Sequence, residues 1–263
     1  MKLAVLGAGR MGSTILKTMQ RAKVPVTAEV CEPDEKVRGA LAKELKGVKL
    51  VAKAEELAEP EAVLLAVKPK MLKETAGWLK ARKGSYLLIS ILAGVETSTL
   101  AKEAGSKARV VRAMPNQALR QNEGVTAICG GPGATKADLE ATKRIFAAGG
   151  HVLEVEEEQM DAVTALSGSG PAFMAKWAEE LADAAVRAGV APKVAEQLAA
   201  RTMLGTAAIL VREGIKPGEL CAAVASPGGT TIAGLEVLEV NAVRGALMRA
   251  VRAAAERSVV MGG

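Results

Sequence analysis

The chain has 263 residues, of which 49% are hydrophobic and 24% charged. That apolar share is ample for a core and excludes disorder as a description of the whole; at roughly 150 residues per domain the length predicts one large domain or two modest ones. The formal charge of +6 is divided unevenly: residues 1–155 carry 25 Lys/Arg against 16 Asp/Glu, whereas residues 156–263 carry 10 against 13.

A basic first half suits a phosphate-bearing ligand. Nucleic acid is not an expected partner, because two Phe, two Trp and one Tyr are too few to build stacking platforms. The longest uninterrupted apolar runs, such as Ala62–Val67, are far short of the roughly 20 residues that span a bilayer, so no membrane association is expected. The N-terminal apolar run is too short for a signal peptide. Cys31, Cys129 and Cys221 are dispersed and form no C-x-x-C pair, which fits a reducing cytoplasm.

Up to about residue 155, short apolar runs alternate with amphipathic stretches. Strands are predicted at Lys2–Gly7, Val26–Cys31, Val48–Val51, Glu61–Val67, Ser85–Ile91, Arg109–Ala113, Val125–Cys129 and His151–Val155. Between the first two, Arg10–Arg21 places Met11, Ile15 and Met19 on one helical face. Strands interleaved with helices of this length imply βαβ units and a mostly parallel, doubly wound sheet. Past Glu156 the period becomes helical throughout. Pro171–Gly189 aligns Phe173, Trp177 and Leu181, Pro192–Gly214 aligns Leu198, Thr202 and Ile209, and Asn241–Met261 forms a further helix. The boundary is placed at Glu156-Glu157-Glu158, acidic residues that favour a helix start. Residues 1–156 are thus expected to form the α/β domain and 157–263 an all-α domain.

Gly7-Ala8-Gly9-Arg10-Met11-Gly12 fits G-x-G-x-x-G between a strand and an amphipathic helix, the context that a dinucleotide site requires. Gly7 permits the tight turn, Gly9 admits a pyrophosphate, and Gly12 lets the helix pack on the strand while its first N–H groups face the anion. Glu32 ends the second strand, where an acid normally binds the ribose hydroxyls and disfavours a 2′-phosphate. That leans towards NAD(H), although Lys36, Arg38 and Lys53 are near enough in sequence to offer NADP(H) a phosphate contact.

Ligands of a doubly wound sheet lie outside the carboxyl ends of its strands. After the fourth, fifth and sixth strands come Ala66-Val67-Lys68-Pro69, Ala93-Gly94 and Met114-Pro115-Asn116, small residues and prolines against which a flat ring can lie. Lys68 and Asn116 supply hydrogen-bonding groups for ribose or carboxamide. In the helical half, Ser226-Pro227-Gly228-Gly229-Thr230-Thr231 precedes the apolar stretch Ile232–Val240. Its glycines and opening helix N–H groups can hold a carboxylate, with the hydroxyls of Ser226 and Thr231 as further donors. Such a loop would bring a small acid to the nicotinamide face of the first half. Ser167-Gly168-Ser169-Gly170-Pro171 reads equally as a helix–helix corner or a ligand contact.

His151 is the one histidine, so a Ser-His-Asp or Cys-His hydrolase is excluded, and no residue set suits a zinc ion or other metal. No G-x-x-x-x-G-K-[ST] loop is present for ATP chemistry. A dinucleotide site without an acid–base histidine points to a reduction needing little proton management.

Taken together, these motifs resemble those of pyrroline-5-carboxylate reductases along essentially the whole chain. The likeness rests on Gly7-x-Gly9-x-Met11-Gly12, Ala66-Val67-Lys68-Pro69, Ser90-Ile91-x-Ala93-Gly94, Arg112-Ala113-Met114-Pro115-Asn116, Leu166-Ser167-Gly168-Ser169-Gly170-Pro171-Ala172 and Ser226–Thr231. The resemblance implies a Rossmann-type domain and a helical domain that forms a homodimer, with larger homo-oligomers open. It also implies hydride transfer from NAD(P)H to the C=N carbon of 1-pyrroline-5-carboxylate, giving L-proline. By the same resemblance, Ser226, Gly228, Gly229, Thr230 and Thr231 bind the substrate carboxylate, and the Thr231 hydroxyl lies by the ring nitrogen as the catalytic group. Two positions depart from the family pattern: Gln117-Ala118 stands where Thr-Pro is common, and Glu32 where small hydroxyl or basic residues accept NADPH. Other readings of the same residues are a two-domain hydroxy-acid dehydrogenase using Lys176 or Lys193, a reductase of another cyclic imine, and a non-catalytic dinucleotide-binding regulator.

Overall fold

The structure is a computed structural model and describes residues 1–262. All eight predicted strands form, in a single sheet of order β3-β2-β1-β4-β5-β6-β7-β8. The first half runs β1 (Lys2–Leu6), α1 (Arg10–Arg21), β2 (Thr27–Cys31), α2 (Glu35–Glu44), β3 (Lys49–Val51), β4 (Ala62–Leu65), α3 (Leu72–Lys80), β5 (Tyr86–Ser90) and α4 (Thr97–Ala104). It continues through β6 (Ala108–Pro115), β7 (Gly124–Gly130), α5 (Lys136–Ala147) and β8 (Gly150–Glu154).

Helices cover both faces, so the central strands bury both sets of alternating side chains and read as unbroken apolar runs. One face sets Leu3, Val5, Val30, Leu64, Ile89 and Val111 among the side chains of α1 and α5. The other sets Ala4, Leu6, Val63, Leu65, Leu88 and Val110 among those of α3 and α4. Among the described residues, only β6 and β7 pair antiparallel. Their connection holds nothing longer than the 3-10 turn Gln117–Gln121, too short for the crossover that parallel pairing demands.

An ion pair closes the side of the sheet near α5. Arg109 donates to both oxygens of Asp138 at 3.0 and 2.9 Å, and the same carboxylate caps α5 through Thr135. Burial raises the Asp138 pKa, but the Arg109 and Thr135 hydrogen bonds outweigh it and hold it below its ordinary value. A depressed native pKa contributes stability that is complete above the ordinary carboxylate value of 3.8 and lost as pH falls through the native one. Asp138→Asn should therefore cost about 2 kcal/mol at pH 7, with the gap to wild type narrowing below pH 4, as read by urea denaturation across pH.

The chain divides into two compact units. The first is Met1–Ser169 together with the chain from Arg252 onward, and the second is Gly170–Val251. The first unit thus extends past the acidic run at 156–158. Glu157 accepts from Arg112 and Thr97, Asp161 accepts from Arg112, and Ser167 accepts from Asn116, which ties α6 (Met160–Val163) and the π-turn Thr164–Gly168 to that unit.

The second unit contains α7 (Gly170–Arg187), α8 (Pro192–Glu213), α9 (Pro217–Val224), α10 (Thr230–Val240) and the start of α11 (Val243–Gly262). Its helices α7 and α8 meet through a small buried core of Ala182, Ala195 and Ala199, with Ala185 and Val190 packed against it. The larger members of the expected stripes stay outside it, with Leu181 49% and Leu198 54% exposed. Alanines permit close axes, so the bulky side chains are left for another surface. Pro192–Glu213 is also the one helix among the described residues long and apolar enough to cross a membrane by length and composition, at mean hydropathy 1.2.

Candidate active site

The glycine-rich turn joins β1 to α1, and its three glycines have different duties. Gly7 has φ +88°, and a Cβ there would sit 2.8 Å from the Ala66 carbonyl oxygen. A Cβ on Gly12 would come 2.6 Å from the Gly7 carbonyl oxygen. These two are required by the fold. Gly9 is the N-cap of α1, with no side-chain cap and nothing within 4 Å of its missing Cβ. The space over Gly9 is therefore open beside the unpaired first-turn N–H groups of Arg10, Met11 and Gly12. This is the cradle that a pyrophosphate needs, and it fits a dinucleotide.

Glu32 is held against this turn. One carboxylate oxygen accepts from the Ala8 N–H at 2.7 Å and the other from the Asp34 N–H at 3.1 Å. Arg38 donates to the carbonyls of Glu32 and Pro33 at 2.8 and 2.7 Å, which fixes the backbone that carries the acid. The Ala8 N–H is thus occupied, while a cleft of about 360 Å³ opens beside it, lined by Gly9, Arg10, Ser13, Lys36 and Val37. Arg10 and Lys36 give the cleft a positive lining.

At the ends of β4, β5 and β6 the remaining predicted residues fall at the same carboxyl edge. Ala66 donates to the Leu6 carbonyl at 2.8 Å and leads into Val67, the exposed Lys68 and Pro69, which opens a 3-10 turn. Gly94 has φ +75° and is buried, whereas Ala93 is half-buried. Asn116 is more committed than the sequence indicates. Its amide oxygen accepts from the N–H groups of Ala118 and Val125, and its nitrogen donates to the Ser167 hydroxyl, all at 3.2 Å. It organises the Gln117-Ala118 turn and the π-turn, with one amide hydrogen left.

In the second unit, Gly228 has φ +68° and the Gly229 N–H donates to the Ser226 carbonyl at 3.0 Å. A Cβ on Gly229 would overlap the Ser226 hydroxyl, so a larger residue there would have to displace that hydroxyl. Gly229 caps α10 without a side-chain hydrogen bond, which leaves the N–H groups of Thr230, Thr231 and Ile232 free for an anion. Thr231 is half-buried and Ser226 exposed.

Sequence reasoning missed the partners of Arg112. A lone arginine within Val110-Val111-Arg112-Ala113 is the signal that could have found them, since a charge in a buried strand needs counter-charges. Cys129, beside this group, has its thiol pushed up to about 11 by burial and then by Glu157, so it is no nucleophile. His151 lies exposed on β8. Lys176 is exposed and paired with Glu179 and Glu180 on its own helix at 2.7 and 2.8 Å, and their hydrogen bonds raise its pKa further, opposite to the need of a proton-transfer lysine.

The chain was compared with known proteins. It is 41% identical to the pyrroline-5-carboxylate reductase of Methanosarcina acetivorans, covering 99% of this chain and 98% of that protein. The chain belongs to the pyrroline-5-carboxylate reductase family. A family model described as pyrroline-5-carboxylate reductase dimerisation matches residues 157–261, and one described as NADP oxidoreductase, coenzyme F420-dependent, matches residues 2–94. The crystal structure of the family member from Coxiella burnetii has a TM-score of 0.89 at 29% identity, covering 99% of this chain and 98% of that one. That of Plasmodium falciparum, with NADP bound, has a TM-score of 0.85 at 29% identity, covering 100% and 98%. The Rossmann-type sheet followed by a helical dimerisation region is thus the family architecture, in an NAD(P)-dependent oxidoreductase.

Proposed function

We propose that the chain reduces 1-pyrroline-5-carboxylate to L-proline with NAD(P)H, the last step of proline biosynthesis. The observation that carries this reading is the match along the whole chain to reductases of that name, in a protein that keeps both anion-binding turns intact. Neither the hydroxy-acid dehydrogenase nor the regulator reading gains a matching feature.

The bound dinucleotide supplies a hydride to the C=N carbon, and the ring nitrogen keeps a proton. The chain's own residues bind and orient. The Gly9 turn seats the pyrophosphate, and Glu32 takes the ribose. Ala66, Val67, Lys68, Pro69, Ala93, Gly94 and Asn116 line the nicotinamide end. Ser226, Gly228, Gly229 and Thr230 hold the carboxylate, while the Thr231 hydroxyl orients the imine nitrogen. A protonated imine is already electrophilic, so positioning accounts for most of the catalysis. The small alanine core of the second unit and exposed Leu181, Leu198, Val211 and Val237 support a homodimer formed through these helices.

The test follows absorbance at 340 nm with pyrroline-5-carboxylate and either NADH or NADPH. Oxidation of one of them is expected, and no oxidation by folded protein would refute the reading. In the same assay Glu32→Ser should move the NADPH/NADH ratio of kcat/KM towards NADPH by about tenfold, since it removes a negative charge from the ribose subsite. An unchanged ratio would clear Glu32 of that role.

A further inference from the structure

Arg112, on β6, is 2% exposed and the largest of the fully buried side chains among the described residues. Its two terminal nitrogens donate to Glu157 and Asp161, each at 3.4 Å, while its Nε is buried with no partner. Glu157 in turn accepts from the backbone N–H of Thr97 at 2.8 Å and from the Thr97 hydroxyl. The same Asp161 oxygen accepts from the Ser258 hydroxyl at 2.7 Å. One buried cation thus links three separate segments: the start of α4, the stretch after β8 and the last turns of α11.

A second observation concerns what those last turns touch. Gly94, three residues before Thr97, has a positive φ, and a Cβ there would overlap the Ser258 carbonyl oxygen and lie 2.7 Å from the Gly262 nitrogen. A Cβ on Gly262 would overlap the Gly94 carbonyl. Backbone therefore rests directly on backbone. The Ala93–Gly94 turn is backed on its Gly94 side by the end of α11, while Ala93 stays partly open.

We propose that Ser258–Gly262 forms a back wall that sets the position of the Ala93–Gly94 turn for the dinucleotide. Ser258 and Asp161, anchored by Arg112, latch this wall in place and are positioning residues for cofactor binding. The inference rests on the reading that the carboxyl edge of the sheet binds the dinucleotide. Neither residue touches the ligand; each acts through Gly94. A turn displaced by a fraction of an ångström loses contacts with a flat ring while leaving the carboxylate-binding turn of the other unit unchanged.

The test uses the full-length protein and the fluorescence of bound NADPH and NADH, which needs no turnover. Ser258→Ala should weaken dinucleotide binding about tenfold, and Ser258→Thr should restore it, since only the hydroxyl is in question. The KM for pyrroline-5-carboxylate should stay within about twofold. Gly262→Ala, which leaves the ionic group intact and pushes only on Gly94, should weaken binding in the same way. Wild-type dinucleotide affinity in folded Ser258→Ala and Gly262→Ala, with or without a fall in Tm, would overturn the proposal. Should wild type bind the dinucleotide but fail to reduce the imine, the functional reading falls and the latch is still judged on binding alone.

Discussion

Gly9→Val is expected to lower NAD(P)H affinity by at least about a hundredfold while the protein melts within a few degrees of wild type. The argument is geometric. Valine at this position keeps an allowed backbone, φ −60° and ψ −163°, and its Cβ meets nothing within 4 Å. A side chain built from that Cβ projects into the space over the turn, where the ligand would lie. Gly12→Val is the contrasting control, because its Cβ would press on the Gly7 carbonyl from 2.6 Å and force α1 away from β1. It should lose binding and stability together. Isothermal titration with NADPH alongside thermal melts separates the two variants. Wild-type affinity in Gly9→Val would remove the pyrophosphate from this turn.

Thr231→Ala is expected to reduce kcat by about a hundredfold, the lower range for a positioned proton-handling group, with the Kd for NADPH unchanged. The hydroxyl lies in the first turn of α10, which has no side-chain cap, so its loss removes no capping bond from the helix. Thr231→Ser should recover most of the rate. Steady-state kinetics at saturating dinucleotide decide the matter, and an unchanged kcat would exclude Thr231 from the reaction.

Much of the first unit was legible because its signals are local. Strands buried on both faces announce themselves as short apolar runs, and Arg10–Arg21 is bounded in the structure as its Met11, Ile15 and Met19 spacing predicts. The glycine turn was legible in residue type but not in division of labour, since only packing separates Gly9 from Gly7 and Gly12. The Arg112 cluster joins positions as far apart as 97, 112, 157, 161 and 258, and no short-range pattern records such pairings. In the helical half periodicity located the helices but could not say what their stripes face. Leu181 and Leu198 obey the period yet remain exposed in a single chain.

The return of α11 to the first unit bears on biosynthesis. Residues 1–169 emerge from the ribosome well before 252–262, so the sheet can form early but the Gly94 turn is backed only once α11 has appeared. The support of the Gly94 turn thereby depends on a segment far removed in sequence: a chain broken between Val251 and Ser258 would retain every motif of the glycine turn and still lack its support at the fifth strand.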